Sequence, residues 1–231
     1  MWRRTSGATP GEEVVEFSGR ICYMSFGSSQ SPRSNADYIM NLIQRKHDSV
    51  LEHAVWTFLL TGVTRAFTHQ LVRHRVGMSF SQLSQQYHDE TSATFILPPA
   101  LADQTQLIAT YVASVQSAQS AYSQILEALA SRDEDTSPEA RRSLRSAARG
   151  VLPESTETKI VVTANARSLR HFLALRGDIK GDIEMRLVSK RVFEMVSGDS
   201  PALFPDFILG RYPDGSPSVR QVDSSVRQEK G

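Results

Sequence analysis

The sequence predicts an α/β (α+β) domain in which a central sheet is flanked by helices, with a long helical excursion in the middle. Three observations carry that expectation. Two β-branched and aromatic runs, AVWTFLL at 54–60 and KIVVTA at 159–164, are each followed within a few residues by a helix-compatible segment. Between them, from 104 to 131, apolar residues recur at spacings of three and four. Strands alternating with helices around such an insertion give a layered mixed fold and not a bundle or a sandwich.

In chain order, residues 1–12 are polar and contain Gly and Pro, which predicts a disordered start. EVVEFSGRICYM at 13–24 reads as a short strand or turn and then a helix start. Ser34 caps an amphipathic helix carrying Tyr38, Ile39, Leu42 and Ile43 and ending near His47. The strand at 54–60 stops at Thr61-Gly62, and Thr64 caps a helix to about His74. On that helix Gln70, Arg73 and His74 share a polar face. A short strand at 94–97 is halted by Pro98-Pro99. On the long helix Ile108, Tyr111, Val115, Ala118, Tyr122, Ile125 and Leu129 recur at three and four over seven turns, and the linker SRDEDT follows it. Ser137-Pro138-Glu139 starts a helix that Gly150 terminates. The strand at 159–164 feeds a helix from Asn165 to about Arg176, whose core face is Leu169, Phe172 and Leu173. The last helix spans 182–196. The folded domain is thus expected over 13–209, with 210–231 as a mobile tail rich in Gly, Pro, Ser and charge.

Composition limits the function. Lys and Arg number 26 against 25 Asp and Glu, for a net charge of +1, which argues against a general nucleic-acid or membrane-surface binder. No apolar run approaches a membrane span, and the chain has no signal-peptide pattern, so a cytoplasmic protein is expected. The single cysteine, Cys22, lies in an apolar context (ICYM) and reads as a buried, inert thiol. No Gly-rich phosphate loop is present.

Two constellations could carry chemistry. RHRVGMSFSQLSQQYHDE at 73–90 sets Arg73, His74 and Arg75 beside a Ser/Gln-rich run. If 79–87 is extended, Gln82, Ser84 and Gln86 share a face. Arginine forks with adjacent hydroxyls and amides suit an anionic ligand such as a nucleotide. The plainer reading also holds: two arginines complement a helix C-terminus, with a polar edge strand after them. The second constellation is Asn165, Arg167, Arg170, His171 and Arg176, after one strand, where a helix start favours phosphate. Its alternative is a cap followed by a solvated arginine face.

Taken together, Arg73-His74-Arg75 followed by Ser84 and Tyr87 resembles the RHR…S signature of the flavin-dependent (alternative) thymidylate synthases. LEHAVWTF at 51–58, RGVLP at 149–153 and NARSLRHFLALR at 165–176 are similar to further blocks of that family, in order, over roughly 14–207. The resemblance implies a homotetramer with active sites formed between chains. It implies that FAD is reduced by NADPH, and that methylenetetrahydrofolate supplies a one-carbon group to C5 of a uridine nucleotide. Carried over by position, Gln70, Arg73, Gln82, Ser84, Gln85, Gln86, Arg149 and Arg176 fall at the nucleotide. His53, Arg73, His74, Arg75, Gln82, Asn165, Arg167, His171 and Lys180 fall at the flavin. Arg176 would stabilise the ionised uracil, with Ser84 and His53 also in the catalytic set. No cysteine nucleophile is required, and no metal.

The chain also departs from that pattern. The family has seven residues between the second Arg and the Ser, where 76–83 makes eight, and Gly77 can absorb the extra one as a bulge or tight turn. Gln86 stands where Arg is usual, Gln82 where Glu is often found, His171 where Asn is usual and Lys180 where His is usual. These changes predict an altered nucleotide preference, with UMP accepted as well as, or instead of, dUMP. Two other readings stay open: a metal-dependent nucleotide phosphohydrolase built on His47, Asp48 and His53, and a non-catalytic nucleotide-binding homologue.

Overall fold

The computed structural model describes residues 4, 7–131 and 137–222. Along the chain come α1 (Pro10–Ile21), α2 (Asn35–Gln44), β1 (Val55–Thr64), α3 (Arg65–Leu71), β2 (Met78–Gln82) and α4 (Thr105–Ala130). Then follow α5 (Pro138–Ala148), β3 (Glu157–Asn165), α6 (Ala166–Arg176), α7 (Ile183–Asp199), β4 (Phe207–Arg211) and β5 (Pro217–Gln221). The strands β1, β3 and β2 are hydrogen-bonded in that order, and β4 pairs antiparallel with β5. The mixed α/β class and the long helical excursion are as expected.

The chain divides into two compact units. Met1–Phe58, His74–Ser79 and Thr163–Gly231 form the first, and Leu59–Arg73 and Phe80–Val162 the second.

In the first unit, capping sets the helix starts. Thr9 and Glu12 form a capping box with Pro10 in the first turn, so α1 begins three residues before the window read as a strand or turn. That window is helix as far as Ile21, because the cap upstream sets its register. Ser34 accepts from Asp37 N and starts α2 as predicted. The core gathers Val15 and Ile39 with Leu51, Leu169, Phe172, Leu173, Met185, Val196 and Leu203, all 2% exposed or less. Residues 210–221, read as the start of a mobile tail, form the second half of the β4–β5 hairpin. Val219 is 1% exposed, and its N–H donates to Gly177 O at 2.8 Å. Gly and Pro here build the hairpin turn, with Gly215 at φ +80°. Residues 223–231 lie outside the described set, as do 132–136 of the predicted linker.

In the second unit, β1 continues past its predicted stop. Gly62 adopts φ +66° and its N–H donates to Glu157 Oε1, so the glycine bends the strand without ending it. Segment 94–97 supplies one isolated bridge, Phe95 to Thr156, where a strand was expected. The following prolines remove ladder donors. Of the apolar stripe on α4 only Val115 and Tyr122 are buried and the other five residues are half-buried, while Leu107 and Val112, outside the stripe, stay 49% and 40% exposed. The helix is longer than the part of α5 (Pro138–Ala148) that packs on it.

Candidate functional site

The first unit holds the α6 constellation. β3 runs directly into α6 because Asn165 closes the strand and caps the helix, its Oδ1 accepting from Ser168 N at 2.9 Å. The chain after the Arg-His-Arg triplet is fastened to this turn. Ser168 Oγ donates to Val76 O at 2.7 Å, and Asn165 N donates to Gly77 O at 3.3 Å. Gly77 stands at φ +67°, and a Cβ there would meet Ser168 Oγ and lie 2.6 Å from Asn165 Nδ2. Only glycine fits this turn.

Beside this turn lies a groove of about 630 Å³ lined by Lys46, Glu52, Asn165, Arg167, Ser168 and His171, among others. Arg167 Nη1 donates to Glu52 Oε1 at 2.6 Å. A second hollow of about 380 Å³ adjoins it, sharing Lys46, Asp48 and Arg167 and reaching Cys22 and Tyr23. Cys22 is exposed, not buried, and its Sγ donates to Ser18 O at 3.3 Å. It follows the last helical residue of α1, past the buried face on which the ICYM reading rested. His53 is exposed at the end of the turn Asp48–His53, and Lys180 is exposed after α6.

Toward the C-terminal end of α6, Arg176 Nε donates to His74 Nε2 at 3.1 Å. The imidazole meets Phe172 edge-on, with ring centroids 5.3 Å apart, and His171 at 6.5 Å. Burial first, then Arg176 and His171, hold the His74 pKa below 6.5, so the ring is neutral and accepts at Nε2. Arg170 does not belong to a solvated face. Its guanidinium is buried, donates to both oxygens of Asp206 at 2.6 and 2.7 Å, and reaches Leu203 O at 2.8 Å. Burial alone would push the Asp206 carboxyl up, but the Arg170 bonds hold it below its usual 3.8.

The second unit holds the Ser/Gln set. Thr64 caps α3 through Phe67 N at 2.9 Å as expected, but the helix ends at Leu71. Gln70 and Arg73 are therefore joined by a closing turn, Arg73 N to Gln70 O, and not by a shared helix face. Arg73 and Arg75 are exposed, and no hydrogen bond or ion pair is drawn to either side chain among the described residues. Gln82 ends β2, its Nε2 donating to Thr68 Oγ1 at 3.0 Å and Thr158 Oγ1 at 3.3 Å.

Beyond it, the expected extended row fails. Ser84 Oγ accepts from Gln86 N at 3.3 Å, while Ser84 O accepts from Tyr87 N and His88 N, making a turn. The serine hydroxyl offers the backbone a local partner that competes with the ladder. Gln82 and Gln86 consequently do not share a strand face. Gln85 is buried at 5% exposure near Glu90, whose carboxyl is raised chiefly by burial. Gln86 turns to α5, its Nε2 donating to Ser146 Oγ at 3.2 Å. Arg145 donates to Tyr87 O at 3.0 Å, and Arg142 reaches Tyr87 Oη at 3.4 Å. Arg149 caps the end of α5.

The predicted residues thus fall into two sets. His53, His74, Arg75, Asn165, Arg167, His171, Arg176 and Lys180 lie in the first unit, and Gln70, Arg73, Gln82, Ser84, Gln85, Gln86 and Arg149 in the second. Sequence reasoning missed Ser168, Thr68, Thr158 and Ser146, which hold Gly77, Gln82 and Gln86. Only Ser168 had a signal, standing three residues after the Asn165 cap. Among the described residues no three His, Cys, Asp or Glu side chains gather as metal ligands, so His47, Asp48 and His53 form no cluster.

Comparison with known proteins then places the chain. Residues 6–202 match the family described as thymidylate synthase complementing protein. The chain is 40% identical over 216 residues to the flavin-dependent thymidylate synthase of Mycolicibacterium gilvum, covering 92% of this chain and 86% of that protein. To the enzyme of the same name from Mycobacteroides abscessus it is 41% identical over 217 residues, with the same coverage. Its fold matches thymidylate synthase X from Helicobacter pylori, solved with FAD and dUMP, at a TM-score of 0.65. That match has 23% identity and covers 84% of this chain and 93% of that one. His74 bonded to Arg176 at the end of the 166–176 helix, in a chain whose relatives align along nearly its whole length, leads to one assignment: this chain belongs to the flavin-dependent thymidylate synthase family.

Proposed function

We propose that the protein methylates C5 of a uridine nucleotide, dUMP or UMP, with methylenetetrahydrofolate as one-carbon donor and NADPH as reductant, working as a cytoplasmic homotetramer. The observation that carries this reading is the Arg176 guanidinium, tied at Nε to a neutral His74 on the helix that also borders the 630 Å³ groove. A guanidinium beside the pyrimidine N3 and its carbonyl oxygens favours the enolate-like charge that makes C5 nucleophilic. Arg73, exposed after α3, and Arg149, half-buried at the close of α5, supply cations for the nucleotide phosphate.

The donor set of the groove fits FAD. Lys46 and Arg167 provide cations for a pyrophosphate, and the Asn165 amide and His171 imidazole provide polar edges. Asn165, Arg167 and His171 would hold the cofactor from this groove, with His53, His74, Arg75 and Lys180 as its further contacts. Bound flavin in its reduced form supplies the hydride that completes the methyl group. Association of chains is supported by apolar side chains left uncovered in the second unit, Leu59 at 65% and Leu107 at 49% exposure.

A UMP-accepting pocket is supported by Gln86, tied to Ser146 in place of a free cation, and by the eight residues between Arg75 and Ser84, which include the tight turn at Gly77. The test gives dUMP and UMP separately to protein loaded with FAD, NADPH and the folate donor. A C5-methyl product from at least one nucleotide is expected, and none from either overturns the proposal. Product from dUMP alone removes the broadened pocket and leaves thymidylate synthesis. Arg176→Ala should cut methylation by at least about 100-fold while yellow flavin absorbance survives gel filtration. Equal loss of flavin would move Arg176 out of the uracil role.

A further inference from the structure

His74 and Arg176 meet through the arginine's Nε and leave its two terminal nitrogens out of the contact. Arg176 donates from Nε to His74 Nε2 at 3.1 Å, and no protein acceptor is drawn to either terminal nitrogen among the described residues. A guanidinium gripped at Nε cannot swing about its last side-chain torsion, so its two terminal NH2 groups point in a fixed direction. The imidazole is itself fixed. Phe172 stands edge-on to it at 5.3 Å with the planes 86° apart, and the adjoining chain is held at Val76 by Ser168 Oγ. The contact therefore links the Arg-His-Arg triplet to the end of α6 by side chains alone.

We propose that His74 is a positioning residue for Arg176, its neutral imidazole accepting from Nε so that both terminal guanidinium nitrogens remain for the pyrimidine ring of the nucleotide. The role at the pyrimidine rests on the function proposed above, whereas the coupling between the two side chains does not. The coupling works in one protonation state. A protonated His74 has no acceptor at Nε2 and repels the guanidinium, so Arg176 is released when the ring takes up a proton. The charged or titrating groups acting on His74 are Arg176 and His171, both on α6, and both favour the neutral ring after burial has already done so. His171, 6.5 Å away, thus extends the range in which Arg176 stays aimed toward lower pH.

The experiment has two arms on full-length, flavin-loaded protein. In the first, histidine rings carrying 13C are followed by NMR against pH, with His74 identified by its missing signal in His74→Gln. His74 is expected to titrate below 6.5, and to shift upward in Arg176→Met and, by less, in His171→Asn. An unchanged His74 titration in Arg176→Met overturns the coupling. In the second arm, His74→Phe keeps a ring against Phe172 but has no acceptor, and His74→Gln restores an acceptor that does not titrate. His74→Phe should lower kcat for methylation by roughly 10- to 100-fold with nucleotide KM changed less than about threefold. His74→Gln should recover most of that loss and flatten the acid side of the pH profile. A glutamine variant as slow as the phenylalanine one, or with the wild-type acid limb, overturns the positioning role. Wild-type protein that methylates neither nucleotide defeats the functional reading while leaving the NMR arm to decide the coupling.

Discussion

Gly77 shows how one residue can carry both local geometry and site assembly. Its φ of +67° is open to glycine at little cost, and the space where a Cβ would sit already holds Ser168 Oγ and, 2.6 Å away, Asn165 Nδ2. Gly77→Ala must strain the backbone and push apart the cap of α6. The expected loss is about 2–4 kcal/mol of stability from strain and displaced packing together, read as a lower urea midpoint at unchanged slope. Flavin retention should fall as well, because Asn165 and Arg167 belong to the displaced turn. A variant with wild-type midpoint would show that the turn can relax. Gln86 is the opposite case: its identity was plain in the sequence, but its bond to Ser146 was not, because residues sixty positions apart leave no trace in local spacing.

At the scale of the element, α6 divides its work along its length. Its first turn pins the Gly77 segment, its last turn presents Arg176, and its middle is anchored by Arg170. The Arg170–Asp206 pair is buried and bidentate, with Gln221 Nε2 giving Asp206 a further bond at 2.7 Å. Arg170→Met removes the cation and leaves a carboxylate in a dry site, which should cost about 3–5 kcal/mol. A double variant with Asp206→Leu should recover part of that loss, since no charge is then left unpaired. If the single variant loses less than about 1 kcal/mol, the pair is not what fastens the helix. The periodicity of α6 was legible, and Leu169, Phe172 and Leu173 are buried as expected. That Arg170 points inward was not, because arginine is mostly exposed and its partner lies 36 residues further on.

For the whole molecule, titration and association give one joint prediction. His74 is held below 6.5, so below that pH the unfolded chain binds a proton that the folded chain refuses, and stability falls as pH drops. Asp206, held below 3.8 by Arg170 against its burial, adds a steeper loss as pH falls through its folded value. Glu90, raised above 4.5 chiefly by burial, acts in the opposite sense: its contribution is present in acid and fades as pH rises through its folded value. Urea midpoints should therefore decline from pH 8 to 5.5, with His74→Gln flattening that decline, and collapse below pH 4. Light scattering at neutral pH should give about four times the 25.7 kDa chain mass. A monomer mass would remove the tetramer from the proposal.

What the sequence determined by itself was whatever depends on neighbours within a few residues. The caps at Ser34, Thr64, Asn165 and Ser137 start helices where the residues say, and the two apolar runs are strands. The ordered blocks around Arg73-His74-Arg75 and 165–176 were enough to place the family. Tertiary structure alone decided that 210–221 forms a hairpin, that Ser84 to Tyr87 is a turn, that Cys22 is exposed, and that His74 grips Arg176. Each of these turns on a partner far along the chain or on a competition between hydrogen bonds of similar strength. Local pattern carries no record of either, because what selects the outcome is which groups burial brings together.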